Sequence, residues 1–191
     1  MKRVRTLSLW LAVGLLSFPE TALSAPDLRL FASLAYSFPT YPGLLQAAVD
    51  KSSTEAGSSR MALSGKIGAY VPAIWSQTLW GLSSSTTVDS YSNDEISARI
   101  SQYTLCTSIL RSFAGRHLYG ELNMGLALAH AANSSDRSTW SNPGASVGAS
   151  LGYRYALFGS GKLVIAGLGH SLNYIEGESY RATTIHLGML F

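Results

Sequence analysis

Five charged or titratable side chains stand out when the chain is read by twos: Arg29, Lys66, Glu121, Arg154 and His186. Each alternates with an apolar series, so in a strand each lies on the face opposite that series. Collected in one enclosed space, these groups must pair, because an unpaired buried charge costs several kcal/mol. The expected arrangement sets Glu121 among Lys66, Arg154 and Arg29 as a hydrogen-bonded plug. Pairs that rearrange would instead make a gate for small ions. His170-Ser171 is the other combination of catalytic residue types. Neighbours in a strand point to opposite faces, whereas a base must come within about 2.6–3.2 Å of its nucleophile, so the parity is wrong for a dyad.

Other chemistry has no foothold in the sequence. His117, His130, His170 and His186 fall in separate segments and Cys106 is the only cysteine, which leaves no metal-ligand spacing and no intramolecular disulfide. There is no phosphate loop and no dinucleotide fingerprint. The polar runs Asn93-Asp94-Glu95 and Asn133-Ser134-Ser135-Asp136 lack the spacing of a calcium loop. No cofactor and no catalytic residue is expected.

The elements that must position these residues are strands. Leu28 to Phe38, Met61 to Val71, Leu118 to Leu128 and Val147 to Tyr155 each alternate apolar residues with small or polar ones. Segments 75–87, 99–112 and 162–174 alternate less cleanly, because Thr, Ser and Gly blur the two faces. In the last segment Thr183, Ile185, Leu187, Met189 and Phe191 share a face, and Ala182, Thr184, His186, Gly188 and Leu190 share the other. The count is seven or eight, and an even number favours eight. Tight turns are expected near Pro72-Ala73, Ala114-Gly115 and Gly159-Ser160-Gly161. Longer polar loops are expected at about 39–58, 88–97, 131–144 and 175–179.

Composition and the N-terminal segment set the environment. Only 13% of the 191 residues are charged and 47% are hydrophobic, against roughly 25% charged in a soluble domain. Beyond the first 25 residues no apolar run approaches the roughly 20 needed for a membrane helix. Lys2, Arg3 and Arg5 precede the apolar stretch Leu7–Phe18, and Ala22-Leu23-Ser24 offers small residues at −3 and −1. This pattern predicts a signal peptide over residues 1–24 and a single domain over 25–191. With the signal go three basic residues and Glu20, so 14 basic and 11 acidic residues become 11 and 10. A net charge of +1 gives nucleic acid no electrostatic hold. Alternating strands in hydrocarbon must close on themselves, since an open edge would leave backbone groups unpaired. The expectation is an all-β, eight-stranded antiparallel up-and-down transmembrane β-barrel. Tyr36, Phe38, Trp75, Trp80, Tyr153, Tyr155 and Phe191 fall near strand ends, as interfacial girdles require. Trp140 falls in a long loop.

The tracts Ile100-Ser101-Gln102-Tyr103-Thr104-Leu105, Tyr119–Leu126 and Gly148–Tyr153, with the closing strand, resemble small bacterial outer-membrane proteins of the OmpA-type and OmpX/Ail-type eight-stranded group. That resemblance implies residence in the Gram-negative outer membrane among its lipid and lipopolysaccharide. It also implies that the terminal Phe191 is the signal read by the barrel-assembly machinery. No peptidoglycan-binding domain is expected after the barrel. The implied role is structural or surface-interacting: membrane integrity, adhesion or interaction through the loops. The alternatives are a narrow pore and a PagL-like lipid A deacylase. The latter family uses His-x-Ser, and Leu172 occupies the serine position here.

Overall fold

The computed structural model describes residues 28–43, 46, 59–75, 77–92, 97–113, 117–133, 138–157 and 162–191. The expected signal peptide, the turn residues 114–115 and 159–161, Asn93-Asp94-Glu95, Ser134–Asp136 and most of loop 39–58 lie outside them. The strands are β1 (Arg29–Thr40), β2 (Ser59–Pro72), β3 (Thr78–Ser92), β4 (Ser97–Phe113), β5 (Leu118–Asn133), β6 (Ser138–Trp140), β7 (Gly144–Ala156), β8 (Leu163–Ile175) and β9 (Glu178–Leu190). All pairings are antiparallel between neighbours, and β1 pairs with β9 to close the wall.

The closure has a definite stagger. From Leu30 the register passes through Ala69, Leu82, Thr107, Met124, Val147, Leu172 and Arg181 and returns to β1 at Thr40, ten residues further on. Eight strands with that shear tilt by about 35–45° and enclose a space that side chains can fill. The eight main strands have 12 to 17 residues, more than the roughly 9–11 a membrane crossing needs.

Nine strands make eight staves because β6 and β7 form one stave interrupted by a bulge. Trp140 pairs with His130, Ser141 exchanges hydrogen bonds with Ala129, and pairing resumes at Gly144 opposite Ala127. Asn142 and Pro143 thus oppose Leu128 alone. One extra residue flips the faces on either side of a bulge, so Trp140 points outward although its parity with Gly144 would turn it in. The freed amide of Asn142 donates to Glu176 Oε1 at 2.8 Å.

The outer face is apolar: Leu34, Ile67, Leu82, Leu105, Leu122, Met124, Leu151, Leu168, Ile185 and Leu187 are exposed on it. The expected girdle residues Tyr36, Phe38, Trp75, Trp80, Tyr153 and Tyr155 are exposed too.

Three expected loops, 88–97, 175–179 and 131–144, are corrected. Residues 88–92 belong to β3, because Asp89 and Tyr91 turn inward and are buried there while Ser90 pairs with Met61 and Arg99. The stretch 175–179 is a two-residue hairpin turn, Glu176–Gly177, with φ of 53° and 83°. Positive φ at both central positions matches the right-handed twist of the strands it joins. Trp140 lies in β6, not in a free loop.

Candidate functional site in the barrel lumen

The inward faces form three stacked layers. At the end where β2 joins β3, β4 joins β5 and β7 joins β8 (the turn end), Phe31, Tyr70, Leu110, Tyr119, Ile165 and Leu190 make a hydrophobic stopper, with Leu79 and Leu163 against it. Above it sits the expected carboxylate. Glu121 is buried; its Oε1 accepts from Lys66 Nζ at 2.5 Å and from the Tyr70 hydroxyl at 2.6 Å, and its Oε2 from Ser150 Oγ at 3.3 Å. The Tyr119 hydroxyl bonds His186 Nε2. Of the five residues singled out by sequence, Lys66, Glu121 and His186 border one cavity. Arg154 shares an inward face with Ser150 but stands four residues further along β7, in register with the stopper residue Ile165. Arg29 is exposed at the start of β1. The reason is distance along the strands: Arg29 is in register with Tyr70, four residues below Lys66.

Glycine makes room for the two tyrosines. A Cβ on Gly68 or on Gly81 would stand 2.7 Å from the Tyr70 ring. One on Gly152 would be 2.7 Å from the Tyr119 ring, and one on Gly167 2.8 Å from its hydroxyl. Each ring therefore lies flat across neighbouring strands to reach a partner on a distant one.

Sequence reasoning missed the third layer, at the loop end. Asp89 is fully buried and accepts from Tyr41 Oη at 2.7 Å, from the Tyr91 hydroxyl, and from Arg60 Nη2 at 2.9 Å. Arg60 also donates to the Pro39 carbonyl at 3.1 Å and lies over the Tyr91 ring. Burial and the adjacent Asp89 carboxylate push the Tyr41 hydroxyl well above the usual tyrosine range. Ser146, Asn173 and Gln102 form a bonded chain across the lumen. The usable signal was Met61 to Val71 continued back by one residue, which places Arg60 on the same inward face as Ala62 and Lys66.

Between the layers lies a cavity of about 100 Å³, bordered by hydroxyl and amide side chains such as Ser33, Ser64, Thr104 and Asn123 together with Phe31, Ala35 and Cys106. Small-molecule sites run to roughly 300–1,000 Å³. Both His170 and Ser171 border the cavity along β8, but the His170 imidazole points out of the barrel, bonded to Thr183 Oγ1 at 3.1 Å, and its neighbour Ser171 turns its side chain to the opposite face. The wall separates them, as strand parity requires. Among the described residues no group of His, Cys, Asp and Glu is placed to hold a metal.

The architecture has solved counterparts. Neisserial surface protein A superposes with a TM-score of 0.59 at 16% identity, covering 85% of this chain and 95% of that one. The chain has the fold of a small eight-stranded outer-membrane β-barrel. Further matches include Ail, the attachment invasion locus protein of Yersinia pestis, with a TM-score of 0.49, 11% identity and coverage of 86% and 98%. The N-terminal barrel of Pseudomonas aeruginosa OprF gives 0.46, 16%, 86% and 98%. No protein-family model and no curated protein sequence matches this outer-membrane-type barrel.

Proposed function

We propose that this chain is a surface-presenting scaffold of the outer membrane, whose contacts with the surroundings are made at its loop end. The observation that carries the reading is the filled lumen. The hydrophobic stopper closes the turn end and the Asp89–Arg60–Tyr41–Tyr91 cluster closes the loop end. Fixed side-chain plugs suit a rigid support better than a conduit. The separation of His170 from Ser171 removes the deacylase reading's nucleophile and base from one another. The reading also draws on the fold match to a Neisserial surface protein.

The test uses cells expressing the full chain and a variant whose β1–β2 connection, residues 43–57, is replaced by a short Gly-Ser turn. Binding of cells to immobilised extracellular-matrix preparations is the readout. The scaffold reading expects binding by the full chain and its loss in the shortened barrel, both remaining heat-modifiable on gels. Equal binding by both, or steady ion conductance by the purified full chain, would overturn it.

A further inference from the structure

The bulge at Asn142–Pro143 puts an indole on the outside of the barrel, and it is not left there alone. Trp140 packs on His130 with ring centroids 4.4 Å apart and on Tyr103 at 5.5 Å. Ser101, directly beside His130 on the outer face, is only 2% exposed, while Trp140 itself stays 57% exposed. The result is a braced aromatic shelf with one open face.

Its level follows from β4 and β5. Below it on the outer wall stand Leu105, Leu122, Met124 and Leu126, all exposed and apolar. Above it the same faces carry Arg99 and Ser138, both exposed. The shelf therefore marks the passage from hydrocarbon to headgroups at the loop end. An aromatic belt needs only single rings at this level; a strand bulge that turns one tryptophan outward onto two further rings, beside an exposed guanidinium, is a more specific construction.

We propose that Trp140, His130, Tyr103 and Arg99 form a docking site for the phosphorylated sugar headgroup of an outer-leaflet glycolipid. Braced aromatic faces suit the apolar face of a sugar ring. Arg99, two residues above Ser101 on the same face, presents a planar fork of donors to a phosphate and supplies the complementary charge. The leaflet assignment rests on the reading above, in which the loop end faces outward.

The experiment is native mass spectrometry of the folded full-length barrel in detergent micelles, titrated with deep-rough lipopolysaccharide or with phosphatidylethanolamine. The wild type is expected to retain one glycolipid, and Trp140→Ala to need about ten times more glycolipid for the same occupancy, the size of loss expected when a central aromatic contact is truncated. Arg99→Gln is expected to lose about fivefold, and enzymatic dephosphorylation of the glycolipid to erase the difference between Arg99→Gln and wild type. Heat-shifted migration on gels confirms that each variant is folded. Equal retention by the wild type and both variants, or phospholipid held as well as glycolipid, would overturn the site. Micelles have no sides, so a wrongly assigned orientation would leave this result intact. It would show instead in protease accessibility of the loop end on whole cells.

Discussion

Tyr119 on β5 and His186 on β9 belong to one row of the wall, and the two residues between them in that row are Gly152 and Gly167. The tyrosine lies across two strands that have no side chain there, and its hydroxyl meets the imidazole on the third. Tyr70 lies across Gly81 in the same way to reach Glu121. The lumen is thus spanned by aromatic struts whose length is matched by glycine gaps.

Adding a methyl group to a gap should dislodge its strut. Gly167→Ala places a Cβ 2.4 Å from the Leu151 carbonyl and 2.8 Å from the Tyr119 hydroxyl. The expected cost is about 1–3 kcal/mol, as for other overpacked interiors. Tyr119→Phe, which removes only the hydrogen bond, should cost about 1 kcal/mol. Urea unfolding of the refolded barrel in vesicles compares them, and a Gly167→Ala barrel as stable as wild type would refute the strut.

Removing one partner of the lumenal ion pair should be worse than removing both. Lys66→Met strands a buried carboxylate and is expected to cost about 3–5 kcal/mol. The double variant Lys66→Met/Glu121→Gln should recover most of that loss, because the Tyr70 hydroxyl still has an acceptor. Equal unfolding midpoints for the single and double variants would show that the pair contributes nothing beyond its separate side chains.

The strands and the pairing of Lys66 with Glu121 were legible because both depend on a two-residue period. A side chain's face follows from parity alone, so Leu34, Ile67, Leu122 and Leu187 were assignable to the lipid side without a fold. Height was not legible. It depends on the ten-residue stagger between Leu30 and Thr40 around the closed sheet, which no local pattern encodes. Arg29 and Arg154 were therefore grouped with Glu121 by face, although they sit nearer the turn end. Asp89 was lost to a loop for a different reason. Ser83 to Thr87 are small and polar on both faces and Ser90 and Ser92 flank Tyr91, so beyond residue 87 only cross-strand pairing shows that the strand continues. Trp140 was misplaced because a bulge reverses parity, and the residues that make it, Asn142 and Pro143, read equally well as loop.

Alkaline pH should loosen the loop-end cluster. The Tyr41 hydroxyl titrates well above the unfolded value of about 10, so its contribution is complete below pH 10 and declines as pH rises beyond it. Tyr41→Phe should lower stability at neutral pH by about 1.5–3 kcal/mol, the worth of a hydrogen bond to a charged group. It should also flatten the decline between pH 10 and 12. Identical alkaline slopes for the two proteins would remove Tyr41 from that role.

The stopper predicts a silent barrel. Purified wild type in planar bilayers should show no steady conductance. Phe31→Ala/Ile165→Ala empties the centre of the hydrophobic layer and should give small, noisy openings, at a stability cost of several kcal/mol. A wild type that conducts as freely as the double variant would contradict a sealed turn end.

The most direct measurement for the whole account is migration of the outer-membrane fraction on gels, with and without boiling. A closed eight-stranded barrel in the membrane predicts a band in that fraction that runs faster unboiled and shifts on heating. A protein recovered in the soluble periplasmic fraction, with no heat shift, would contradict it. The exposed faces of Leu34, Leu122 and Leu187 would then have to be buried against something other than lipid.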